Sequence, residues 1–356
     1  MEEADLWVGL VSGVLGIVAA AIATVRFAIP ALARRSARFE RLYDRMFKSA
    51  ELEFEARWRA ASIKLNAIAG DEARLVALLP GDMPLPELDD PGSDKHLSWL
   101  KELAISSRAA EIRSDPTLSN KSHGLLIGDL SAVGRRAPVR FVRTDYATVR
   151  AARETGRRPP ILSAGGIVFC PSDRTVLLQY RSATAATYPH CLHLLGGNYE
   201  PATEESDEDD QYDAPLLQTA IREIGEESHL RGLNTHRAFI SCAQEHSTGF
   251  VQFNLAGVSI AKRRKAEAYG SREGGVRFLT LDEVVELFAS PPPSDQVGGR
   301  WVPSGALHMV AWLAMGAPDQ YWQAPMRKEA ISAYEAILPH LRQGLADVDG
   351  TALDKI

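Results

Sequence analysis

The sequence predicts an α+β sandwich that is preceded by a transmembrane helix and a mainly helical segment. Apolar runs at residues 161–169 and 176–180, separated by a Pro-Ser-Asp turn, are typical of two paired strands. Residues 216–230 carry apolar side chains at the spacing of one helix face. Residues 6–25 contain no charged side chain, and a helix of that length spans roughly 30 Å of hydrocarbon.

The same patterns predict the remaining elements of the sandwich and of the C-terminal part. Short strands are predicted at residues 239–242 and 250–260. Helices are predicted at residues 281–288, 305–315 and 325–343. The sequence contains no internal repeat, so a solenoid or a propeller is not expected.

Composition limits the classes of protein to which the chain can belong. It has 356 residues, of which 45% are hydrophobic and 24% are charged, as in a folded protein of about two domains. The formal net charge of −6 disfavours a general nucleic-acid binder, so no nucleic-acid partner is expected. Cys170, Cys191 and Cys242 are far apart and have no C-x-x-C spacing. They suggest neither a disulfide framework nor a zinc site, and a reducing compartment is the simplest interpretation.

The uncharged segment 6–25 has two other interpretations. A secretory signal peptide would begin with basic residues, whereas this chain begins Met-Glu-Glu-Ala-Asp. A core helix would show a polar stripe, whereas only Ser12 and Thr24 interrupt the apolar run. We therefore predict a transmembrane helix within residues 1–30, and a buried core helix remains the alternative.

The residues that flank this segment predict its orientation. No Lys or Arg precedes it, and five arginines follow it: Arg26, Arg34, Arg35, Arg38 and Arg41. The positive-inside rule then places the rest of the chain in the cytoplasm, as in a single-pass membrane protein. Gly9 and Gly13 form a G-x-x-x-G pair, which would permit close helix contact in a homodimer.

Two segments separate the predicted span from the sandwich. Residues 31–79 are predicted to form a juxtamembrane helix, because apolar and charged residues are interleaved there. Residues 80–157 are predicted to contain a linker, rich in Pro and Gly at residues 80–93, and then a basic segment of unknown role. Eight arginines and two acidic residues give residues 135–158 a net charge of +6. This stretch is either a solvated face or a surface for anionic lipid, phosphates or an acidic segment.

Residues 216–230 are the most informative segment. On a helix with 100° per residue, Leu217 and Ile224 lie within about 60° of Ile221 and define a core face. The other face carries three carboxylates: Glu223, Glu226 and Glu227. Like charges at this spacing repel, and hard oxygen ligands of this kind suit Mg²⁺. The alternative is an ordinary solvated helix face.

Two further features indicate a ligand or metal site beside this helix. Gly196 and Gly197 follow an apolar strand, and without a Cβ their backbone can approach a ligand closely. Arg222 is four residues before Glu226, so an intrahelical ion pair could hold that carboxylate in position.

These residues resemble the motif of the Nudix hydrolase family, which is Gly, five residues, Glu, seven residues, then Arg-Glu-hydrophobic-x-Glu-Glu-x-Gly-hydrophobic. Arg222-Glu223-Ile224-x-Glu226-Glu227 matches the end of the motif, and Gly197 fits its first position. The resemblance covers about residues 158–320. It implies an α/β/α sandwich with a mixed sheet, followed by a C-terminal helical extension at residues 321–356.

Three features depart from the family pattern. Gly197 and Arg222 are 25 positions apart instead of 14, and the extra residues include an acidic stretch, 204–213, that we expect to be a disordered loop, with a second metal site as the alternative. Thr203 stands where the family has its early Glu. His229 replaces the glycine that ends the helix, where a left-handed non-Gly residue costs about 1 kcal/mol.

The resemblance implies a Mg²⁺-dependent pyrophosphatase, with Mn²⁺ as a second candidate metal. Water would attack a diphosphate linkage in a nucleoside diphosphate joined to another group. The implied metal ligands are Glu223, Glu226, Glu227 and the Gly197 carbonyl. Glu223 or Glu226 would act as the general base, and Arg222 and Gly196 would position the site. Further candidates are Arg181 for a phosphate contact and Glu267 and Glu273 for a base from a later loop.

Two other functions remain open at this point. One is a catalytically silent Nudix module that binds a nucleotide at the membrane. The other is a structural membrane protein whose glutamate helix is merely exposed. A binding module has no need of three closely spaced carboxylates, which favours the enzyme.

Overall fold

The computed structural model describes residues 54–79, 87–88, 95–118, 121–128, 139–185, 187–201, 216–230, 233–259, 270–271, 274–293, 296, 298–316 and 324–346. The predicted transmembrane span at 6–25, the acidic stretch at 204–213, and Glu267 and Glu273 lie outside these residues. In the described ranges, no helix is both long enough and apolar enough to cross a membrane. The chain divides into units 1–57 and 58–356, and the description below concerns the second.

Twelve strands are found in the described residues. They are β1 (Ala73–Leu79), β2 (Glu87–Leu88), β3 (Ser122–Leu126), β4 (Arg140–Asp145), β5 (Leu162–Cys170), β6 (Thr175–Arg181), β7 (Leu192–His193), β8 (Leu195–Asn198), β9 (Asn234–Glu245), β10 (Val251–Ser259), β11 (Gly270–Ser271) and β12 (Gly274–Thr280). Nine of them form one sheet in the order β1-β9-β10-β5-β6-β12-β11, with β7 beside β6 and β8 beside β5. Because β10 and β5 are parallel and the other pairs are antiparallel, the predicted mixed sheet is confirmed.

The described helices are α1 (54–69), α2 (Leu103–Arg113), α3 (Tyr146–Glu154), α4 (Leu216–Ser228), α5 (Leu281–Ala289), α6 (Pro303–Ala314), α7 (Ala324–Ile337) and α8 (Leu341–Gly344). Short 3₁₀ helices cover Lys95–Lys101 and Leu338–His340. The predicted α+β class is therefore confirmed, and most predicted strands and helices agree with these bounds to within a few residues. The predicted juxtamembrane helix at 31–79 is wrong at its C-terminal end, because α1 ends at residue 69 and residues 73–79 form β1.

Helices cover both faces of the large sheet. On one face, Ile224 of α4 packs in the same apolar core as Phe253 of β10. Successive strand residues point to opposite faces, so Asn254 of β10 and its partner Ser241 of β9 face the other side. There Ser241 Oγ lies 2.7 Å from Nδ1 of His308, a residue of α6. The arrangement is an α/β/α sandwich.

Residues 80–157, for which the sequence suggests a linker and a basic segment, contain a second folded layer. Strands β2, β4 and β3 form a three-stranded sheet in that order, and α2 and α3 pack with it around an apolar core. This layer is tied to the sandwich by backbone hydrogen bonds from Gly124 to Tyr199 (3.2 Å) and from Leu126 to Pro160 (2.8 Å).

The arginine-rich stretch is divided between the surface and the interior of this layer. Arg150 forms an ion pair with Glu154 at 3.3 Å, and Arg157 forms one with Glu102 at 2.5 Å, as expected of a solvated face. Arg153 instead turns inward, and its guanidinium lies 5.0 Å from the centre of the Phe250 ring. The stretch is thus a solvated face at some positions and part of an internal wall at another.

Candidate active site

Glu223 of α4 lies directly against Gly197 of β8. A Cβ added at Gly197 would overlap the carboxylate carbon and both carboxylate oxygens of Glu223. The neighbouring Gly196 is equally constrained, since its Cβ would lie 2.5 Å from the Cα of Gly165. The double glycine therefore allows β8 to approach both the sheet and the glutamate helix, as its position in the sequence suggests.

Arg222 holds two of the three carboxylates. Its Nη1 is 2.9 Å from Oε1 of Glu223 and 3.5 Å from Oε1 of Glu226, and its Nη2 donates to the Asn198 carbonyl at 3.2 Å. The pair with Glu226 is the one predicted from the four-residue spacing. The Arg222 side chain is only 7% exposed, whereas that of Glu226 is 58% exposed. Glu226 is therefore the carboxylate most accessible to water.

Glu227 is not on the open face where the helical periodicity places it. It is 4% exposed, and its carboxylate accepts hydrogen bonds from Nε2 of Gln179 (2.5 Å) and from the Gly196 amide (3.0 Å). Strands β6 and β8 close over this side of α4, which periodicity alone does not reveal. Glu227 thus fastens the helix to both strands.

The carboxylates fit a divalent cation in part. In the portion of the chain that the structure describes, no group of three or more His, Cys, Asp or Glu side chains is placed to hold a metal ion. Glu223 and Glu226 nevertheless share one cationic partner, the Arg222 guanidinium, between their oxygens. Mg²⁺ is commonly bound through one or two carboxylates together with waters and substrate phosphates. Glu223 and Glu226, two neighbouring carboxylates that line one cleft, match that donor set.

A cleft of about 420 Å³ opens beside these carboxylates. Five of the residues predicted for the site line it together: Gly196, Gly197, Arg181, Glu223 and Glu226. Arg181 is already engaged, because its Nε donates to the Thr187 carbonyl at 2.9 Å. Pockets of this volume accept ligands of the size of a nucleotide.

Glu245, which sequence reasoning did not select, lies in the same cleft at the end of β9. Its Oε1 accepts from the Ser304 hydroxyl (2.5 Å) and amide (3.3 Å), and its Oε2 accepts from Tyr188 (3.0 Å) and Thr248 (2.6 Å). Burial and the neighbouring Glu245 carboxylate raise the pKa of Tyr188, which therefore remains a hydrogen-bond donor. With four donors, Glu245 organises the cleft rather than serving as a free base. No motif marks it in the sequence.

His229 confirms the predicted left-handed end of the glutamate helix. Its φ is 54°, and its amide donates to the Gly225 carbonyl at 2.8 Å. The side chain is exposed. This departure from the family pattern therefore changes the end of the helix and leaves the cleft-facing carboxylates in place.

The chain is similar to several solved Nudix structures. It matches the C. elegans Ap4A hydrolase in a binary complex at 16% identity, over 35% of this chain and 83% of that one, with a TM-score of 0.25. It matches a NUDIX hydrolase from Nitrosomonas europaea at 13% identity, over 50% and 89%, with a TM-score of 0.26. It also matches the NUDIX domain of Shewanella oneidensis NrtR, complexed with ADP ribose, at 16% identity, over 37% and 80%, with a TM-score of 0.24.

No family model and no curated protein matches the chain. At these low TM-scores, the likeness to solved structures carries no functional conclusion. Any function has to be argued from the residues of the cleft.

The close contact between Gly197 and Glu223 predicts how a methyl group added at residue 197 would affect activity. Gly197→Ala should displace the Glu223 carboxylate and lower turnover by about 10²-fold, because small misplacements of reacting groups are costly. Stability should change little, since the displaced atoms are the end of a flexible side chain. The measurement is kcat together with the melting temperature. Gly275→Ala is the matched control, because nothing lies within 4 Å of its added Cβ, and equal activity of the two variants would contradict the placement of Glu223.

Proposed function

We propose that the chain is a Nudix-type pyrophosphatase that hydrolyses a diphosphate linkage in a nucleoside diphosphate joined to another group. The observation that carries this proposal is the pair of cleft-facing carboxylates, Glu223 and Glu226, which share one cation beside the Cβ-free Gly197. Three of the motif residues that suggest the family in the sequence, Gly197, Glu223 and Glu226, line the same cleft.

In the proposed reaction, a water molecule attacks one phosphorus atom and the bond to the bridging oxygen breaks. Mg²⁺ or Mn²⁺, when bound by Glu223 and Glu226, would neutralise phosphate oxygens and lower the pKa of a bound water. Glu226 accepts the proton of the attacking water, because it is the most exposed of the three carboxylates. Arg222 keeps both carboxylates oriented, and Glu227 holds α4 against β8.

One observation favours the alternative, a catalytically silent module that binds a nucleotide. The single positive charge of Arg222 already offsets one of the two negative charges of Glu223 and Glu226, which reduces the repulsion that a metal ion would otherwise relieve. Such a module would bind the same class of ligand and release no product.

A substrate panel separates the two functions. The purified full-length chain in detergent is incubated with ADP-ribose, a dinucleoside polyphosphate or a nucleoside triphosphate, with Mg²⁺, with Mn²⁺ or with EDTA. The enzyme should give metal-dependent products that mass spectrometry resolves, and in H₂¹⁸O one product should carry the label. Ligand binding without product in every metal condition would establish the silent module instead.

We also propose that residues 6–25 hold the chain at a membrane with residues 58–356 in the cytoplasm, and that Gly9 and Gly13 permit a homodimer. The support is the uncharged run and the arginines that follow it. Leu15→Arg combined with Val18→Arg should move the chain from the carbonate-resistant membrane fraction to the supernatant, since each charge costs about 2.5–3.5 kcal/mol at mid-span. The control is Ile63→Arg at an exposed position, and a soluble wild-type chain would refute the proposal.

A further inference from the structure

The second layer contributes part of the wall of the cleft, beside sandwich residues such as Ser163 and Gln252. His123 of β3 and Tyr146 and Arg153 of α3 line the cleft together with the carboxylates of α4. Tyr146 and Arg153 belong to the arginine-rich stretch 135–158, for which a surface for phosphates is one of the sequence-based interpretations, whereas the sequence assigns no role to His123. The cleft is therefore shared by two folded layers, with acidic groups on one wall and a basic group on another.

Arg153 is the feature of this wall that needs an explanation. Its Nε and Nη2 are shielded from solvent and have no hydrogen-bond partner. Burial lowers the pKa of the guanidinium to about 10, so it is still charged at neutral pH. A buried cation without a partner is costly, and the nearby Arg150 and Arg157 avoid that cost by pairing with acids on the surface.

The surroundings of Arg153 leave a place for an anion. The Glu245 carboxylate is close enough to act on Arg153 electrostatically, but it already accepts four hydrogen bonds, and within the described residues no ion pair joins it to Arg153. His123 is buried with Nδ1 unpartnered, and burial and then the charge of Arg153 lower its pKa to about 4. A neutral imidazole can donate one hydrogen bond without adding to the positive charge. Phe250 supports the guanidinium from one side.

We propose that Arg153, assisted by His123, forms a subsite for a phosphate group of the ligand, one that is separate from the diphosphate linkage at Glu223 and Glu226. The planar guanidinium presents adjacent N–H groups in the geometry that phosphate oxygens accept. This inference rests on the proposed function, because it specifies the class of nucleotide that the same cleft takes. The favoured ligands are nucleotides that carry a further phosphate beyond the hydrolysed bond.

Calorimetric titration of the full-length protein with 5′-AMP and with adenosine tests the subsite in EDTA, where Glu223 and Glu226 hold no metal and their carboxylates repel the single phosphate of 5′-AMP. Wild type should bind 5′-AMP more tightly than adenosine. Arg153→Met should weaken 5′-AMP binding about tenfold or more, the effect of losing charged hydrogen bonds, and should leave adenosine unchanged. Arg150→Gln on the same helix is the matched control and should bind 5′-AMP as wild type does. Equal 5′-AMP affinity in wild type and Arg153→Met overturns the proposal.

Thermal melting without ligand distinguishes a binding role from a structural one. Removing an unpaired buried charge should leave the Tm of Arg153→Met equal to or above that of wild type. A clear fall in Tm, or failure to fold, would mean that Arg153 serves the fold and would overturn the subsite. Arg153→Lys keeps the positive charge but lacks the planar guanidinium with its adjacent N–H donors, so it should bind 5′-AMP with intermediate affinity.

The two proposals fail in different ways. If Arg153→Met loses affinity for 5′-AMP but the wild-type protein hydrolyses no substrate, the pyrophosphatase proposal is refuted and the subsite proposal stands. Suppose instead that the wild type shows metal-dependent hydrolysis and that Arg153→Met has the same kcat/KM for substrates with and without the further phosphate. The pyrophosphatase proposal then stands and the subsite proposal is refuted.

Discussion

Glu226→Gln should lower turnover by about 10² to 10⁴-fold and leave the fold intact. A general base contributes this much to rate, and the amide cannot accept the proton of the attacking water. The side chain is 58% exposed, and its one ion pair within the helix, with Arg222 at 3.5 Å, is of the kind that adds little to stability. Steady-state kinetics with saturating Mg²⁺ measures the loss, and circular dichroism checks the helix content.

The matched control is Glu286→Gln, which removes the same charge from an exposed position of α5. It should leave kcat unchanged. Unchanged turnover in Glu226→Gln would remove this residue from the mechanism. Glu227→Gln is a poorer test than its place in the motif suggests, because its buried carboxylate holds β6 and β8 and a loss of activity would be mixed with a loss of stability.

Glu245→Ala should produce the largest loss of stability of any single substitution discussed for the cleft. It would remove the shared acceptor of the Tyr188, Thr248 and Ser304 hydroxyls and of the Ser304 amide, although the Tyr188 hydroxyl also lies 3.0 Å from Oγ of Ser247. An unsatisfied buried donor costs about 1–3 kcal/mol, although local rearrangement will recover part of the sum. We expect a loss of about 3–5 kcal/mol, seen as a fall of several degrees in Tm.

Two variants make this result interpretable. Glu245→Gln retains one acceptor oxygen and should lose clearly less stability than the alanine variant. Glu335→Ala removes an exposed carboxylate from α7 and should change stability by less than about 0.5 kcal/mol. If Glu245→Ala had the same Tm as Glu335→Ala, the four hydrogen bonds to Glu245 would contribute little to the stability of the fold.

The elements that the sequence predicts well are those with a strong local period. Continuous apolar runs place β5 and β6, which are buried along nearly their whole length, and the 3.6-residue period places α4 and α5, which bury one helix face. The same period was wrong about Glu227, which is 4% exposed, and about Ile221, which it places at the centre of the core face and which is 38% exposed. It gives the direction of a side chain around the helix axis, but not which strands will pack on that side.

The second layer escaped prediction because its signals are short and mixed. Strand β2 has two residues, and the arginines of β4 and α3 dominate the composition of a stretch whose apolar residues form a core with α2. Only packing shows that Arg150 faces the surface while Arg153 enters the cleft. The net charge of the segment does not show which of these two arginines is buried and which is exposed.

The amino-acid sequence by itself determined the class of fold, the glutamate helix and the double glycine, because local period and the absence of a Cβ are properties of neighbouring residues. The tertiary structure alone decided that Glu245 and Arg153 share a cleft with Glu223. These residues are distant in the chain and belong to different layers, so their meeting depends on how β9, α3 and α4 pack, which no local pattern encodes.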